Sequence, residues 1–419
     1  MQEVWDKDML MGKTGPMADK GGADEVKKDP MIWGRGGHLT EEQADIYLKF
    51  KDEIEKRDEH FKSTIYSFGE IEGEVWTLLR WCRARKFDYD EMIKMVEEAT
   101  ECREESMKHN FYEDPKEALG CDMALYMAQY PQVYTGHSKN GIPLFFSKPA
   151  KINMDALDII TTLEGIVKFH WFYQMHDFGN LLRDQKQNRE GFNRFECFII
   201  MDLGGLSVTQ LNSRVMSVIK EQSFIDSLCF PETMNRMVII NAPSFFSATW
   251  SVIKGFIDAR TSGKVDVIAS RKSWEKRLKE FIDDDQLPSD YGGTAPSTTE
   301  VMDKASPGDM KRLFSEFMYV RGSKEFKTEI AEGEEVEIVV WTHSKSGGKF
   351  IVVDQDKTSE KVYGEEVEVK LGSTEEEGKP SVATIVKERI KGPAAIKVKV
   401  KSNASRISTL KFLVVFHVY

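Results

Sequence analysis

The side chains with the most distinctive spacing in this sequence are large and apolar, and they crowd into one segment near residue 250. They are Phe245, Phe246, Trp250, Ile253, Phe256 and Ile257. At 3.6 residues per turn, they would cover two faces of one helix over residues 245–258. Such a helix is either buried between other elements or contacts an apolar partner that is not always present, such as a lipid or a membrane. The residues alone leave both interpretations open.

Motifs for covalent or phosphoryl-transfer chemistry are missing from the sequence. Gly12-Lys13-Thr14 lacks the glycine five residues earlier that a P-loop requires, and there is no Gly-x-Ser-x-Gly segment. His170 and His176 are six residues apart, so on one helix they would point to different faces and could not share a metal ion. We therefore expect a protein that is not an enzyme and that uses no cofactor or metal.

The composition excludes several other classes. A chain of 419 residues with 41% hydrophobic and 30% charged residues is typical of a soluble protein of several globular domains. The net charge of -11 argues against a nucleic-acid partner, because a phosphate backbone requires a basic surface. Residues 1–8 are partly acidic and no apolar run follows them, so a signal peptide is not expected. Five cysteines without a Cys-x-x-Cys pair predict reduced thiols and a cytoplasmic location.

Hydrophobic periodicity divides the first part of the chain in two. Residues 1–37 lack sustained periodicity and are predicted to form a flexible tail. Helical patterns follow, and the segments that begin at Thr40 and Asp88 carry the residues of helix caps. We therefore predict a small all-helical domain over residues 39–118.

The rest of the chain predicts an α/β domain and then an all-β domain. Over residues 119–293, short apolar runs alternate with helical patterns, and the expected strands are 143–146, 197–203, 237–241 and 264–269. These runs are nearly continuous in apolar residues, which is typical of a sheet covered on both faces. A polar linker over 294–309 precedes a predicted β-sandwich over 310–419. The predicted fold class is a multidomain α/β protein.

Lysines alternate along one predicted strand of the sandwich. Lys397, Lys399 and Lys401 have a period of two, so they share one face of that strand. A solvated face that protects an edge strand from pairing is favoured over a contact with an anionic surface.

Several segments, in order, resemble the landmarks of CRAL-TRIO lipid-binding proteins. They are residues 79–88, 200–207, 230–232 with 239–243, and 287–293. The strand pattern after the linker is similar to a GOLD domain, and the whole arrangement resembles that of supernatant protein factor and the patellins. The resemblance implies a pocket for one lipid, closed by a mobile gate helix over residues 245–258. It also implies Tyr134, Cys197 and Ile199 as pocket residues.

The resemblance also implies a site for the lipid head group. In phosphatidylinositol transfer proteins of the family, an inositol-phosphate site is built from residues that correspond here to Arg85, Pro143, Glu232, Thr261 and Lys264. The fixed cations and a hydroxyl suit a phosphodiester, and Glu232 is expected to neutralise Lys264 when the site is empty. Each of these charges alone would also be explained by a surface ion pair.

Three positions depart from the family pattern. Ser138 replaces an acidic residue before the proline, and Cys197 and Ile199 replace the serine and threonine that hold phosphocholine. Because neither Cys197 nor Ile199 is a strong hydrogen-bond donor, phosphatidylcholine is not the expected ligand. These two residues suit an apolar ligand such as a tocopherol-like or squalene-like isoprenoid, and ordinary core packing explains them equally well.

Three functions follow from the resemblance. The leading one is a carrier that holds a phosphatidylinositol-type phospholipid and contacts cytosolic membranes transiently. The second is a carrier of a neutral isoprenoid. The third is an adaptor in vesicle trafficking, in which the GOLD-like domain binds a protein partner and the lipid pocket acts as a sensor.

Overall fold

The chain is divided into two compact units. The computed structural model describes residues 5–17, 30–210, 212–253, 259–355, 362–371, 379–405 and 407–419. The first unit contains residues 1–113, 134–150 and 170–295, and the second contains 114–133, 151–169 and 296–419. The coarse prediction of a mixed α/β protein followed by antiparallel sheets is confirmed.

Helices occupy most of the chain before residue 304. Those of the N-terminal third are Lys7–Leu10, Glu41–Lys56, Glu59–Ile65, Gly69–Glu72, Glu74–Ala84 and Tyr89–Lys108. Those that follow are Pro115–Leu119, Met123–Gln129, Met154–Ile160, Leu163–Phe172, Gly179–Asn188, Ser213–Cys229, Ser244–Ile253, Ala259–Gly263, Arg271–Phe281 and Thr298–Asp303. A π-helical turn, Tyr173–Phe178, lies between two of them. Among the described residues, none of the helices is long and apolar enough to cross a lipid bilayer.

Side-chain caps begin the helices that the sequence marked. The Thr40 hydroxyl accepts a hydrogen bond from the Gln43 N–H at 3.2 Å, and the Gln43 side chain accepts one from the Thr40 N–H at 3.0 Å. Asp88 accepts from the Glu91 N–H at 3.2 Å. Each cap satisfies amide groups that have no partner inside the helix, so the predicted starts at Thr40 and Asp88 are confirmed.

A five-stranded sheet forms the centre of the first unit. Its strands are β1 (Gln132–His137), β2 (Pro143–Ser147), β3 (Cys197–Asp202), β4 (Met234–Ile240) and β5 (Val265–Ile268), which neighbour one another in that order. The pairs β2–β3, β3–β4 and β4–β5 are parallel. Because parallel strands are joined by crossovers, helices separate them along the chain.

The two faces of this sheet differ in burial. One face, called here the closed face, is at most 1% exposed at Leu144, Phe146, Phe198, Ile200, Val238 and Ile240. The other, called here the open face, is partly exposed at Phe145, Ile199, Met201, Met237, Val265 and Val267. Both faces are thus covered, as predicted, but the open face less completely: these side chains remain partly accessible, whereas Ile239 on the same face is buried.

The C-terminal part is a sandwich of two four-stranded antiparallel sheets. The strands are β6 (Arg312–Val320), β7 (Ser323–Ile330), β8 (Glu335–Thr342), β9 (Gly348–Asp354), β10 (Val362–Val369), β11 (Ser381–Lys391), β12 (Ala394–Ser402) and β13 (Leu410–Val418). One sheet has the order β10-β9-β12-β7 and the other β11-β8-β13-β6. Alternate residues of both sheets fill one shared core, which includes Phe350, Val398, Phe412 and Phe416.

The lysine-rich strand is not an edge strand. β12 pairs with β7 on one side and β9 on the other, and Ile396, Val398 and Val400 are buried beneath it. Lys397 lies 3.7 Å from Glu325, one of the carboxylates on the neighbouring strand. The lysines therefore decorate the outer face of an internal strand, and the edge-protection interpretation is wrong.

Parts of the segment predicted as a tail pack against the helices. Leu10 is fully buried, and its carbonyl accepts hydrogen bonds from the Gly37 N–H at 2.9 Å and the Leu39 N–H at 3.3 Å. The Trp5 ring lies 6.1 Å from that of Trp76 in an edge-to-face contact. Residues 31–37, called here the strap, therefore lie against the folded part of the first unit.

Candidate functional site

Charged residues stand directly before three neighbouring strands of the central sheet. Glu196 precedes β3, Glu232 lies two residues before β4, and Lys264 precedes β5. Because these strands are parallel and adjacent, their amino ends meet at one edge of the sheet. The side chains that precede them are consequently close together.

Glu232 is surrounded by basic side chains. Its carboxylate lies 3.2 Å from Arg83, 3.5 Å from Arg260 and 3.7 Å from Lys264. The Lys264 ammonium also donates to the Met234 carbonyl at 2.8 Å, and its side chain is only 7% exposed. The predicted pairing of Glu232 with Lys264 is therefore present in this structure.

Glu196 forms a second group of ion pairs at the same edge. Its carboxylate accepts from Arg35 at 2.7 Å and from Asn235 at 2.9 Å, and it lies 3.5 Å from Arg194. Burial alone would raise the pKa of the Glu196 carboxyl, but Arg35 and Arg194 outweigh it and hold that pKa at about 2. Glu196 is therefore ionised at neutral pH.

A third pair, between Glu72 and Arg80, links two of the sequence landmarks. The two side chains are 3.2 Å apart and both are more than 90% buried. Arg80 also donates to the Pro231 carbonyl at 3.2 Å, so the helix Glu74–Ala84 is tied to the turn that contains Glu232. Arg80 and Pro231 belong to the landmarks at 79–88 and 230–232. This hydrogen bond therefore connects the two landmarks in the folded protein.

These residues form one cluster with surplus positive charge, called here the basic cluster. Its members are Arg35, Arg80, Arg83, Arg194, Arg260, Lys264, Glu72, Glu196 and Glu232. Six basic groups face three carboxylates, although the whole chain is acidic. A cavity of about 70 Å³ opens among Arg35, Arg80, Arg83, Arg194 and the three carboxylates. Such a cavity suits a small anionic group.

The surplus of positive charge in the basic cluster affects the pKa values of its cations. Burial lowers the pKa of Arg83 to about 10; Glu232 counteracts that shift, whereas Arg35 and Arg260 add to it. Burial also lowers the pKa of Lys264, where Glu232 again counteracts and Arg83 adds to the shift. Because these cations repel one another in a poorly solvated place, a further anion would stabilise their charged forms.

The backbone at these landmarks adopts an unusual conformation. Glu232 has φ of +60°, and Lys86 and Phe87 have φ of +52° and +61°, which is the left-handed region. Residues other than glycine pay about 1 kcal/mol or more there, and such residues concentrate at functional sites. The conformation at Glu232 lets its carboxylate meet three cations at once.

The structure brings together only some of the predicted head-group residues. Glu232 and Lys264 are in the basic cluster. Thr261 is exposed, and its carbonyl accepts from the Lys264 N–H at 3.1 Å. Arg85 donates to the Ala84 carbonyl at 3.3 Å and pairs with none of the described carboxylates. Pro143 is buried as the first residue of β2.

Sequence reasoning missed most of the cluster. Arg35, Arg80, Arg83, Arg194, Glu196, Glu72 and Arg260 were not among the expected residues. The position of Glu196 is a signal that could have identified it. It is a single acidic residue directly before an apolar strand, just as Lys264 is a single basic residue directly before β5. The ion pair of Arg35 with Glu196 joins residues 161 positions apart and has no local signal.

The predicted gate segment begins beside the open face. Phe245 and Phe246 lie in the helix Ser244–Ile253. Like Met201 and Met237 of that face, they pack against a buried cluster that includes Ile239. Trp250 is partly buried, and Ile253 is the last residue of the helix. Phe256 and Ile257 lie outside the described residues.

The predicted pocket residues lie next to an aromatic group. The Tyr134 ring is 5.0 Å from Phe145 and stacks on Phe178 at 5.3 Å. Burial raises the pKa of the Cys197 thiol, which lies within hydrogen-bonding reach of Tyr134. Ile199 is on the open face, beside Phe145 in the sheet register. The three residues thus lie at one apolar surface.

A half-buried carboxyl lies close to this aromatic group. Burial raises the pKa of Asp177, in the π-helical turn, from 3.8 to about 6. Because the folded pKa exceeds the unfolded one, the charge destabilises the protein above pH 6, and the cost falls as the pH drops toward 4. We expect Asp177→Asn to raise the free energy of unfolding by about 3 kcal/mol at pH 7.5 and to lose about two thirds of that gain by pH 4.5.

Urea unfolding followed by tryptophan fluorescence at the two pH values measures this difference. An equal gain at both values would show that the carboxyl is already well solvated in the folded protein. Asparagine has nearly the same shape as aspartate, so the comparison isolates the charge.

The opposite edge of the sheet is occupied by an internal hydrogen-bond network. Asp202 accepts from the Gly204 N–H at 2.9 Å, from Asn241 at 2.8 Å and from the Tyr291 hydroxyl at 3.3 Å. Asn241 in turn accepts from the Trp274 indole at 3.0 Å. The landmarks at 200–207, 239–243 and 287–293 meet here. These landmarks stabilise the fold at the carboxyl ends of the strands, whereas the basic cluster lies at the amino ends.

Comparison with known proteins agrees with this assignment of landmarks. A CRAL/TRIO domain matches residues 127–293. A CRAL-TRIO domain-containing protein of Saccharomyces cerevisiae is 30% identical over 269 residues, which cover 62% of this chain and 81% of that protein. The SEC14 cytosolic factor of Candida glabrata is 32% identical over 265 residues, with coverages of 62% and 80%.

A third relative is longer. A phosphatidylinositol/phosphatidylcholine transfer protein of Arabidopsis thaliana is 26% identical over 281 residues, which cover 64% of this chain and 46% of that protein. Two of the three relatives are thus matched over about four fifths of their own length, at 30% identity or more. This chain belongs to the CRAL/TRIO family.

Proposed function

We propose that this protein binds one phosphatidylinositol-type lipid and transfers it between membranes or presents it there. The observation that carries the proposal is the combination of the basic cluster and the open face on the same strands. Glu196, Glu232 and Lys264 precede β3, β4 and β5, whose partly exposed apolar residues follow directly. A ligand with an anionic head and an apolar tail matches that order of charge and hydrophobicity.

The dimensions of the open face support a lipid tail. Six residues of β3 span about 20 Å at 3.3 Å per residue, which exceeds the roughly 15 Å of one leaflet's hydrocarbon. Moving a two-chain lipid through water exposes tens of methylenes at about 0.8 kcal/mol each, a penalty on the order of 20 kcal/mol. Apolar side chains that cover the tail would remove most of that penalty.

The head group in this proposal is held by the basic cluster. A phosphodiester would take the place beside Arg83 and Lys264 that Glu232 now shares, and hydroxyls of an inositol would face the carboxylates. Thr261, Arg85 and Pro143 belong to the proposed site through the family resemblance. The name of the Arabidopsis thaliana relative, a phosphatidylinositol/phosphatidylcholine transfer protein, supports this ligand class.

The remaining parts of the proposal concern membranes and partners. The helix that begins at Ser244 is proposed as the gate, which covers the lipid tail in one position and contacts a bilayer in the other. A cytoplasmic location with transient membrane contact is proposed as well, and the name of the Candida glabrata relative, a cytosolic factor, supports the location. The sandwich of β6–β13 is proposed to be GOLD-like, in a patellin-like arrangement, and to bind a protein partner.

Mass spectrometry of lipids that co-purify with the protein tests the ligand, and transfer of labelled phosphatidylinositol between vesicles tests the activity. We expect phosphatidylinositol in the purified protein and transfer that is faster than spontaneous exchange. A bound neutral isoprenoid without phosphatidylinositol would support the second function named above. Membrane recruitment without any transfer would support an adaptor.

A further inference from the structure

We infer that the strap, residues 31–37, is part of the head-group site and that Arg35 sets the preference for anionic over zwitterionic phospholipids. This inference rests on the proposed function. The strap, like the landmark at residues 79–88, precedes the region that matches the CRAL/TRIO domain at residues 127–293. Its contacts, however, are with the basic cluster.

Three neighbouring residues of the strap contact that cluster. The Trp33 ring lies under the Arg260 guanidinium, 4.4 Å away, and meets Phe87 edge-on at 5.6 Å. Arg35 pairs with Glu196 at 2.7 Å, and its side chain is only 20% exposed. A guanidinium over an aromatic face is held in place and keeps its charge, so Trp33 orients Arg260 without neutralising it.

Gly34 shows how closely the strap lies on the cluster. Its φ of +68° is in the region that favours glycine, and a Cβ there would lie 2.8 Å from the Phe87 ring and 2.9 Å from the Arg83 side chain. Only glycine lets the strap lie this close to Arg83. The strap is also anchored beyond this point, where the Gly37 N–H donates to the Leu10 carbonyl at 2.9 Å.

The charge balance of the cavity assigns a role to Arg35. Four arginines line the cavity together with Glu72, Glu196 and Glu232, which leaves one net positive charge. Arg35 is the arginine that the strap supplies, and without it the lining would be neutral. A zwitterionic phospholipid gains little from that extra charge, whereas a phosphatidylinositol head group, which bears a net negative charge, gains directly.

Arg35→Gln tests the inference in a transfer assay. Donor vesicles of phosphatidylcholine that contain phosphatidylinositol are used, and uptake of each labelled lipid is measured. We expect phosphatidylinositol uptake to fall about tenfold. The uptake of phosphatidylcholine, expected to be low in the wild type because of Cys197 and Ile199, should stay unchanged, so that the ratio of the two falls. Glu196 keeps Arg194 and Asn235 as partners in this variant, so its carboxylate is not left alone.

Two further variants serve as controls. Arg183→Gln removes another arginine of the same unit, paired with Glu70 at 3.0 Å, and should leave the lipid ratio unchanged. Gly34→Ala should displace the strap and lower the ratio as Arg35→Gln does. Gly120→Ala introduces the same change at φ of +76° with no atom within 4 Å of the new Cβ, so it should leave the ratio unchanged.

The outcomes separate this inference from the proposed function. If the wild-type protein takes up no phosphatidylinositol, both are overturned. If the wild type takes it up and Lys264→Met does not, but Arg35→Gln keeps the wild-type ratio, only the role of the strap is overturned. Faster uptake by Arg35→Gln would also overturn it, since the strap would then obstruct the site.

Discussion

Lys264→Met is expected to lower the rate of phosphatidylinositol transfer about 30-fold or more. The ammonium is buried at the amino end of β5, where burial lowers its pKa and Arg83 adds to that shift. A charge-assisted hydrogen bond to a phosphate contributes about 2 kcal/mol, and every 1.4 kcal/mol corresponds to a factor of ten in affinity. Methionine keeps most of the side-chain volume and removes the charge.

The surrounding ion pairs keep this variant folded. Glu232 retains Arg83 at 3.2 Å and Arg260 at 3.5 Å, so no carboxylate loses all its partners. Lys148→Met is the matched control, because Lys148 pairs with Asp290 at 3.1 Å in the same unit and takes no part in the cluster. The rates of transfer between vesicles are compared for the two variants. Equal rates would remove Lys264 from the head-group site.

Glu72→Ala is expected to lower the free energy of unfolding by about 4 kcal/mol. Glu72 and Arg80 are almost completely buried and 3.2 Å apart, so removing one partner leaves an uncompensated charge in a poorly solvated place. Broken buried pairs of this kind typically cost about 3–5 kcal/mol. Arg80 would keep its bond to the Pro231 carbonyl, which offsets only a part of the loss.

Urea unfolding measures this effect, and an exposed pair provides the control. Glu104 and Lys108 lie 3.3 Å apart on one helix and are both more than half exposed, so Glu104→Ala should change the free energy by less than about 0.5 kcal/mol. The double variant Glu72→Met with Arg80→Met should recover much of the loss, because neither charge then remains. A small effect of Glu72→Ala alone would mean that water enters the pair.

Local sequence signals predicted the elements well where one face of an element is buried. Thr40 and Asp88 marked helix starts because their side chains cap the nearest amides. The apolar runs near residues 197–203 and 237–241 marked strands because their closed-face residues are buried. Within the sandwich, β7 carries no such signal, because most of its residues are exposed and its sequence has no continuous apolar alternation.

The candidate site was predictable only in part. The resemblance selected Glu232 and Lys264, which the structure brings within 3.7 Å of each other. It selected Arg85, whereas Arg83 is the arginine that faces Glu232. Which of two arginines points inward depends on how the helix end and the left-handed residues Lys86 and Phe87 turn the chain. The prediction of a tail for Arg35 came from the lack of periodicity over residues 1–37, and its partner Glu196, 161 positions away, gives no local signal.

The unequal faces of the central sheet have a consequence for how this protein can change over generations. Alternate positions along β3 have different roles. Phe198 and Ile200 are buried in the closed face and stabilise the fold, whereas Ile199 and Met201 are partly exposed on the open face. Substitutions at the latter positions can alter the apolar surface of the open face at little cost in stability. For the proposed lipid carrier, one backbone can thus acquire new ligands while the residues that hold the scaffold stay unchanged.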